Sequence, residues 1–444
     1  MEYLRRCWSR SKIYRVVLVL TVIYVVLRLL VQAIFLGGML LPGPEGEVFV
    51  PVDLRLYLDA ARNLRLGQDL YPRGDIIEVY QYSPAYALMF VPLLDLPTSF
   101  IVVLDAVLHI VVYVLLYIWW GRIFCRLRLD RACEALAWML PLWLVFSAFW
   151  SDLGYLNIYI PVALLATLLI EAILNERLGW ALLWLSVILQ TKPHWAFAAA
   201  VPLLLGRYRF FLKLVGGAVV IYLIVVAITM LAVGPAYGSQ QYVDYVQFLL
   251  NLRHNFPWRG PDAPFLGYNH SVTQIVVYLL GVSPDTLFLA TLIKVLLLVP
   301  LLGVCFIYLR RPVRRAGYRV PNLALELAFV LYLGAFIWLD MVWELSLGIA
   351  VFTYLSATLV RRWEQALVWV VFLPYALLDL WQVLSFMVGG PSVVLPGMYI
   401  LTDPSIYVPL IMIVLLTFYA LLLRRLWEKR EIYALAGVSP VSLR

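Results

Sequence analysis

Charge is scarce in this chain. Only 14% of its 444 residues are Asp, Glu, Lys or Arg, against 64% hydrophobic, and the mean hydropathy is +0.91. That balance excludes a soluble enzyme, in which roughly a quarter of the residues are charged. Cysteine is scarcer still. Cys7, Cys125, Cys133 and Cys305 have no metal-ligand spacing, so neither a zinc module nor a disulfide framework is expected. All four fall on or near the side read below as cytoplasmic, where thiols stay reduced. There is no Walker loop, dinucleotide fingerprint, HExxH or GxSxG, which leaves an ATP-driven pump or a soluble-nucleotide enzyme without visible apparatus. Internal repeats and low-complexity tracts are absent too.

Long apolar runs are what the chain has in abundance. A run of about 18 or more residues reads as a membrane span, because a hydrocarbon core near 30 Å takes about 20 helical residues. Spans are expected near 14–36, 98–120, 133–150, 155–173, 178–191, 194–206, 212–233, 284–308, 322–340, 344–360, 364–383 and 405–424. They leave no room for a soluble module, so residues 1–444 read as one all-α polytopic transmembrane domain of about 12 helices. The first run follows a basic leader (Arg5, Arg6, Arg10, Lys12). It is too long for a signal-peptide core and lacks a small-residue cleavage site, so it is expected to stay as the first helix.

An even number of spans puts both termini on one side. That side collects 25 of the 34 Lys and Arg, including the leader, Arg122–Arg131, Arg310–Arg319 and the tail at about 424–444. The positive-inside rule makes it the cytoplasm. The formal charge of +8 is therefore topology, and no nucleic-acid partner is expected. Membrane lipids are the obligatory surroundings, with the plasma membrane as the expected location.

Two long extracytoplasmic loops follow, at about 41–97 and 234–270. Loops of this length are functional or disordered, and these are rich in Tyr, Trp, Asn, Asp and Pro rather than Ser/Gly filler. In the first, Asp53–Leu64 carries its apolar residues near helical spacing and reads as an interfacial helix. Gly67–Pro72 reads as a turn. Residues 85–96 are apolar but too short to cross, which suits a re-entrant element; 271–280 have the same character.

The most informative single residue is Lys192, in Gln190-Thr191-Lys192-Pro193-His194-Trp195. An ammonium at membrane depth costs roughly 2.5–3.5 kcal/mol on insertion scales and normally faces a cavity or partner. Pro193 breaks the helix at the same point, and broken membrane helices tend to line binding sites. An anionic ligand is expected there.

Other polar residues have two readings each. Asp53 sits where a helix start favours an anion, so it reads either as an N-cap or as a general base for a hydroxyl at the membrane surface. Arg55 either meets a phosphate through its fork of donors or snorkels to headgroups. Tyr57 and Tyr82, the latter in Tyr80-Gln81-Tyr82-Ser83-Pro84, either stack on a sugar or belong to an interfacial aromatic belt. Asn157, in the Gly154–Asn157 turn, is either interhelical glue or a ligand contact. His254 and Arg259, beside Arg253, either supplement Lys192 around an anion or belong to a solvated loop. Asn269, His270, Trp343 and Glu344 complete the candidates. Asp105, Glu171, Lys294, Glu326 and Asp379 lie scattered in the spans with no evident relay, whereas a proton-coupled transporter usually shows clustered partners.

Taken in order, Asp53–Ala61 with Gly67–Tyr71 and Tyr82–Pro84, Gly154–Asn157, Lys192-Pro193, Asn269-His270-Ser271 and Trp343-Glu344 resemble glycosyltransferase family 87 of the GT-C membrane glycosyltransferases. That resemblance implies inverting transfer of a hexose, with mannose as the leading expectation, from a polyprenyl-phosphate sugar donor to a glycolipid or glycan acceptor at the extracytoplasmic face. It implies Asp53 as the general base and Lys192 as the residue holding the donor phosphate, supplemented by Arg55, His254 and Arg259. Tyr57, Tyr82, Asn157, Asn269, His270, Trp343 and Glu344 then line the sugar and acceptor site. No cofactor and no divalent metal are expected; the lipid-linked sugar is a substrate. The sequence departs from the family pattern at Tyr155, where Gln is common, at Leu345, where His is common, and at Ser83, where Pro is usual. Two other functions compete: a flippase of a lipid-linked sugar, and an inactive GT-C scaffold subunit.

Overall fold

A computed structural model describes residues 2–40, 50–71, 80–256, 258, 260–261, 269–310, 321–389 and 404–436. Among the described residues the regular structure is helical throughout, with no strand. Every apolar stretch expected to span is helical, but they are not alike in length. Among the described residues, five helices are long and apolar enough to cross a membrane by themselves: Lys12–Gly38, Thr98–Arg126, Tyr208–Val233, Pro284–Arg310 and Pro409–Lys429. Two more crossings arise if each bent pair counts as one, Asp130–Trp138 with Leu140–Tyr155 (57°) and Arg362–Ala376 with Leu378–Ser385 (45°). Length and composition thus support five to seven spans, where twelve were expected. The other five stretches fold as the shorter helices Tyr159–Leu174, Leu178–Thr191, Pro193–Leu204, Asn322–Trp338 and Gly348–Thr358, each below the roughly 20 residues a full crossing takes.

The long and short helices divide the work. Tyr208–Val233 and Pro284–Arg310 expose broad apolar surface, with Leu231 and Phe288 more than two-thirds exposed, as lipid-facing helices do. The Gly348–Thr358 helix is buried from Gly348 to Leu355, and Tyr332, Leu333, Phe336 and Ile337 are fully covered. Short helices can be apolar all round because the long ones shield them.

Charges that look scattered in the sequence are each matched. Arg28, fully buried, holds Asp379 through Nε and Nη2 at 3.1–3.3 Å and donates to Gln32 at 3.0 Å. Glu326 takes Arg425 and Lys429 together with the Tyr354 hydroxyl. Lys294 pairs with Asp340, Glu171 with Arg126, and Asp105 with His109. Asp105 and His109 lie one turn apart on a single helix; the other pairs tie helices distant in sequence into one bundle.

The loop elements follow the sequence in part. The helix expected in the first loop is Val52–Leu66, and it ends where Gly67 adopts φ +70°, a left-handed cap conformation that suits glycine,. The short apolar element is the helix Pro84–Phe90, N-capped by Ser83, continuing as the 3-10 turn Val91–Asp95. The second loop is corrected: Pro235–Asn255 is a 21-residue helix, begun by a proline at its first position. The turn after the Thr98–Arg126 helix brings Cys125 and Cys133 together, with a Cα separation of 5.9 Å, while Cys7 and Cys305 stand apart from them.

Candidate active site

The site begins at the end of the Leu178–Thr191 helix. Lys192 has φ −126° and ψ 86°, because the ring of Pro193 disfavours helical geometry in the residue before it. A 3-10 helix, Pro193–Ala200, carries the chain onward. This break lies at the end of the helix opposite Arg177. The Lys192 ammonium stands 3.9 Å from the centre of the Tyr159 ring and 5.1 Å from that of Tyr82, and among the described residues it has no hydrogen bond and no ion pair. Its charge is balanced at longer range, first by Asp53 and then by Asp152.

Asp53 is brought to the same place by two elements. It lies in the first turn of Val52–Leu66, whose N-cap is Pro51, so it is not the cap residue. The helix dipole there favours its carboxylate. Asn157 fixes one of its oxygens, with Nδ2 donating to Oδ2 at 3.0 Å. The amide's own oxygen accepts from the Tyr57 hydroxyl at 3.4 Å and from the Ile158 N–H at 2.7 Å. Tyr57 and Tyr82 share a hydroxyl–hydroxyl bond of 3.1 Å with edge-on rings. Tyr57, Tyr82, Asn157, Asp53 and Lys192 therefore form one assembly.

Behind Asn157 stands a support that sequence reasoning missed. Leu156 takes φ +51°, which ends the Ser147–Tyr155 helix and turns the chain into Tyr159–Leu174. Asp152 closes this turn by accepting from the Tyr159 and Ile160 N–H groups at 3.1 and 2.8 Å. His109 binds the Asn157 carbonyl oxygen through Nε2 and reaches Asp152 at 3.5 Å, while its Nδ1 faces the Asp105 carbonyl at 2.8 Å. A lone histidine inside an apolar helix is itself a signal of function in a membrane, and it was there to be read.

A second cluster adjoins the first. The Trp343 ring meets that of Tyr155 edge-on at 5.3 Å. Glu344 is buried, accepts from the Tyr375 hydroxyl at 2.5 Å, and lies within electrostatic reach of Asp152. Asn269 joins two chain segments: its Nδ2 donates to the Asp340 carbonyl at 2.6 Å, and its Oδ1 accepts from the Ser271 and Val342 N–H groups at 3.0 Å. The His270 N–H donates to the Val342 carbonyl at 2.7 Å. Arg55 lies on the Asp53 helix, half-buried. His254 is exposed near the end of Pro235–Asn255, and no described hydrogen bond or ion pair joins it to Lys192 or Asp53. Arg259 lies outside the described residues.

A carboxylate, a lysine and edge-on tyrosines are thus gathered at a break in an interior helix, a pairing of proton acceptor and cation that suits group transfer. The comparison with known families makes the class specific. The glycosyltransferase family 87 profile matches residues 80–339, more than half of the chain, and the chain belongs to glycosyltransferase family 87, hence to the GT-C superfamily. It is a glycosyltransferase with a sugar donor and an acceptor. The match takes in Tyr82, Asn157, Lys192, Asn269 and His270; Asp53 precedes it and Glu344 follows it. Neither the curated proteins nor the solved structures contain a match to the chain.

Proposed function

We propose that the protein transfers a hexose, with mannose the first candidate, from a polyprenyl-phosphate sugar to a hydroxyl of a glycolipid or glycan, with inversion, at the extracytoplasmic face of the plasma membrane. One observation carries this reading: Asp53, oriented by Asn157, lies within electrostatic reach of Lys192, which is held over Tyr159 with no ion pair among the described residues. In the step so read, Asp53 takes the proton of the acceptor hydroxyl. The new bond forms from that oxygen to the anomeric carbon as the bond from this carbon to the phosphate oxygen breaks. The electron pair leaves with the lipid phosphate, where the Lys192 ammonium offsets the developing charge, an aimed electrostatic contribution. The role of Lys192 is charge neutralisation, so this reading assigns no metal.

The test is turnover by the purified protein in lipid nanodiscs, with polyprenyl-phosphate mannose, a panel of glycolipid acceptors, and lipid-phosphate release as the readout. Acceptor-dependent release is expected, and Asp53→Asn should reduce it by about 10²–10⁴-fold, the span of general base catalysis, while the donor still binds. Wild-type rates in Asp53→Asn would remove Asp53 as the base. Donor binding with no release, for this and other lipid-linked sugars, would favour a flippase or an inactive scaffold.

A further inference from the structure

A cavity of about 250 Å³ lies away from Lys192, where the ends of the Gly348–Thr358 and Pro404–Ala436 helices meet the start of Arg362–Ala376. Gly348–Thr358 begins just after Trp343 and Glu344 and ends at Thr358, on the cavity wall. At 1.5 Å per residue this helix sets the cavity about 16 Å from that cluster. The positive-inside rule assigns this end of the helices to the cytoplasm. The walls carry the cations Arg361, Arg424, Arg425 and Lys429 with the carboxylates Glu364 and Glu428. Both carboxylates are engaged by Arg424, Glu364 through Nη1 at 2.5 Å and Glu428 through Nε at 2.8 Å. Arg425 and Lys429 are anchored on Glu326, a fully buried carboxylate outside the cavity lining. Four cations therefore stand against three carboxylates, and one positive charge is left over. The Arg361 guanidinium is exposed and makes no hydrogen bond or ion pair among the described residues. The rim is apolar. Val360 lines the cavity yet is 88% exposed, and Trp363 and Trp427 are about half exposed nearby, as tryptophans at a membrane–water boundary are.

We infer that this cavity binds the phosphate of an anionic phospholipid, drawn from the membrane leaflet opposite the active site. Guanidinium groups match a phosphate through their fixed fork of donors, and basic pockets between spans on the cytoplasmic side suit lipid headgroups. The Glu326 anchor holds Arg425 and Lys429 in place before any ligand arrives, so little side-chain freedom is lost on binding. The cavity is smaller than the roughly 300–1,000 Å³ of sites that enclose a whole small molecule, which fits a headgroup whose remainder lies outside. That remainder distinguishes the source of the phosphate. A free phosphate has no use for an exposed valine and two tryptophans at the rim, whereas acyl chains do. The site shares no residue with the Asp53–Lys192 assembly, and the inference stands apart from the proposed transfer reaction.

Native mass spectrometry of the full chain, released from phosphatidylcholine nanodiscs with graded phosphatidylglycerol, counts the anionic lipid retained. One phosphatidylglycerol should be retained saturably and in preference to phosphatidylcholine. Arg361→Gln should raise the mole fraction for half-occupancy about fivefold, the effect of one cation on an anionic lipid, and Arg361→Lys should recover most of it. Arg209→Gln, at another exposed arginine of the basic loops, should leave the half-occupancy point unchanged. Arg361 holds no ion pair among the described residues, so the thermal midpoint of Arg361→Gln in pure phosphatidylcholine discs should equal that of the wild type. Equal shifts in Arg361→Gln and Arg209→Gln would make the attraction a property of the whole basic surface and overturn the site. Retention with no preference for phosphatidylglycerol would overturn it as well. Millimolar inorganic phosphate should not displace the bound lipid; displacement would overturn the phospholipid as the source of the phosphate.

Discussion

Arg28 and Lys192 are both cations set within apolar helical sequence, and the protein treats them in opposite ways. Arg28 is saturated: Asp379 and Gln32 take its guanidinium, Trp150 lies under it at 5.1 Å, and Tyr24 closes the far side of the carboxylate. Lys192 has two tyrosine rings and, among the described residues, no acceptor. A buried charge whose partner is removed destabilises strongly, because what remains is an uncompensated ion. Arg28 therefore belongs to the framework. Lys192 is, among the described residues, held without a hydrogen-bonding partner, and this sets it apart from Arg28 more sharply than its position in the helix does.

The comparison can be broken most directly at Arg28. Arg28→Met should lower stability in detergent by about 3–5 kcal/mol, read as a drop in thermal midpoint or in folded yield, and the double change Arg28→Met with Asp379→Leu should recover much of it. Lys192→Met should do the reverse, with midpoint kept or raised and lipid-phosphate release reduced by about 10²–10³-fold, as for loss of one aimed electrostatic donor. If Lys192→Met collapses the fold as Arg28→Met does, the distinction drawn between the two cations is wrong. A finer probe lies behind Asp53. His109 touches no reacting atom in this reading and acts through Asn157, so His109→Gln should lower kcat about tenfold with KM little changed, the signature of misplaced geometry. Equal loss of protein yield and activity would make His109 framework instead.

How much of this is legible in the chain depends on how local its cause is. The Val52–Leu66 helix could be read because its periodicity and its terminating Gly67 lie within a few residues of each other. The break at Lys192 was legible for the same reason, since Pro193 alone imposes it. The function of Arg28 was not. Its partner Asp379 is 351 positions away, and nothing in either neighbourhood names the other. The Pro235–Asn255 helix was hidden by its polar composition, which resembles loop until Pro235 is recognised as a helix start. Span number is hard to read for a related reason: an apolar run of fifteen residues looks the same whether lipid or other helices surround it. At the site, Asp53, Asn157, Tyr57 and Tyr82 were found by residue type, but the order in which they hold one another comes only from the fold. His109 lay in plain view as a histidine among leucines and valines, and went unused because the partner it grips is a backbone carbonyl, invisible to any motif.

The perch of the Lys192 ammonium on Tyr159 has a consequence for timing. A cation resting on a ring face is held by about 0.5–2 kcal/mol, far less than a buried carboxylate would exert. On the proposed function, an arriving phosphate would displace a soft π cushion rather than a rival anion, and the departing phosphate would hand the ammonium back to the same cushion. The resting site is in effect a latch without a catch, quick to engage and quick to let go.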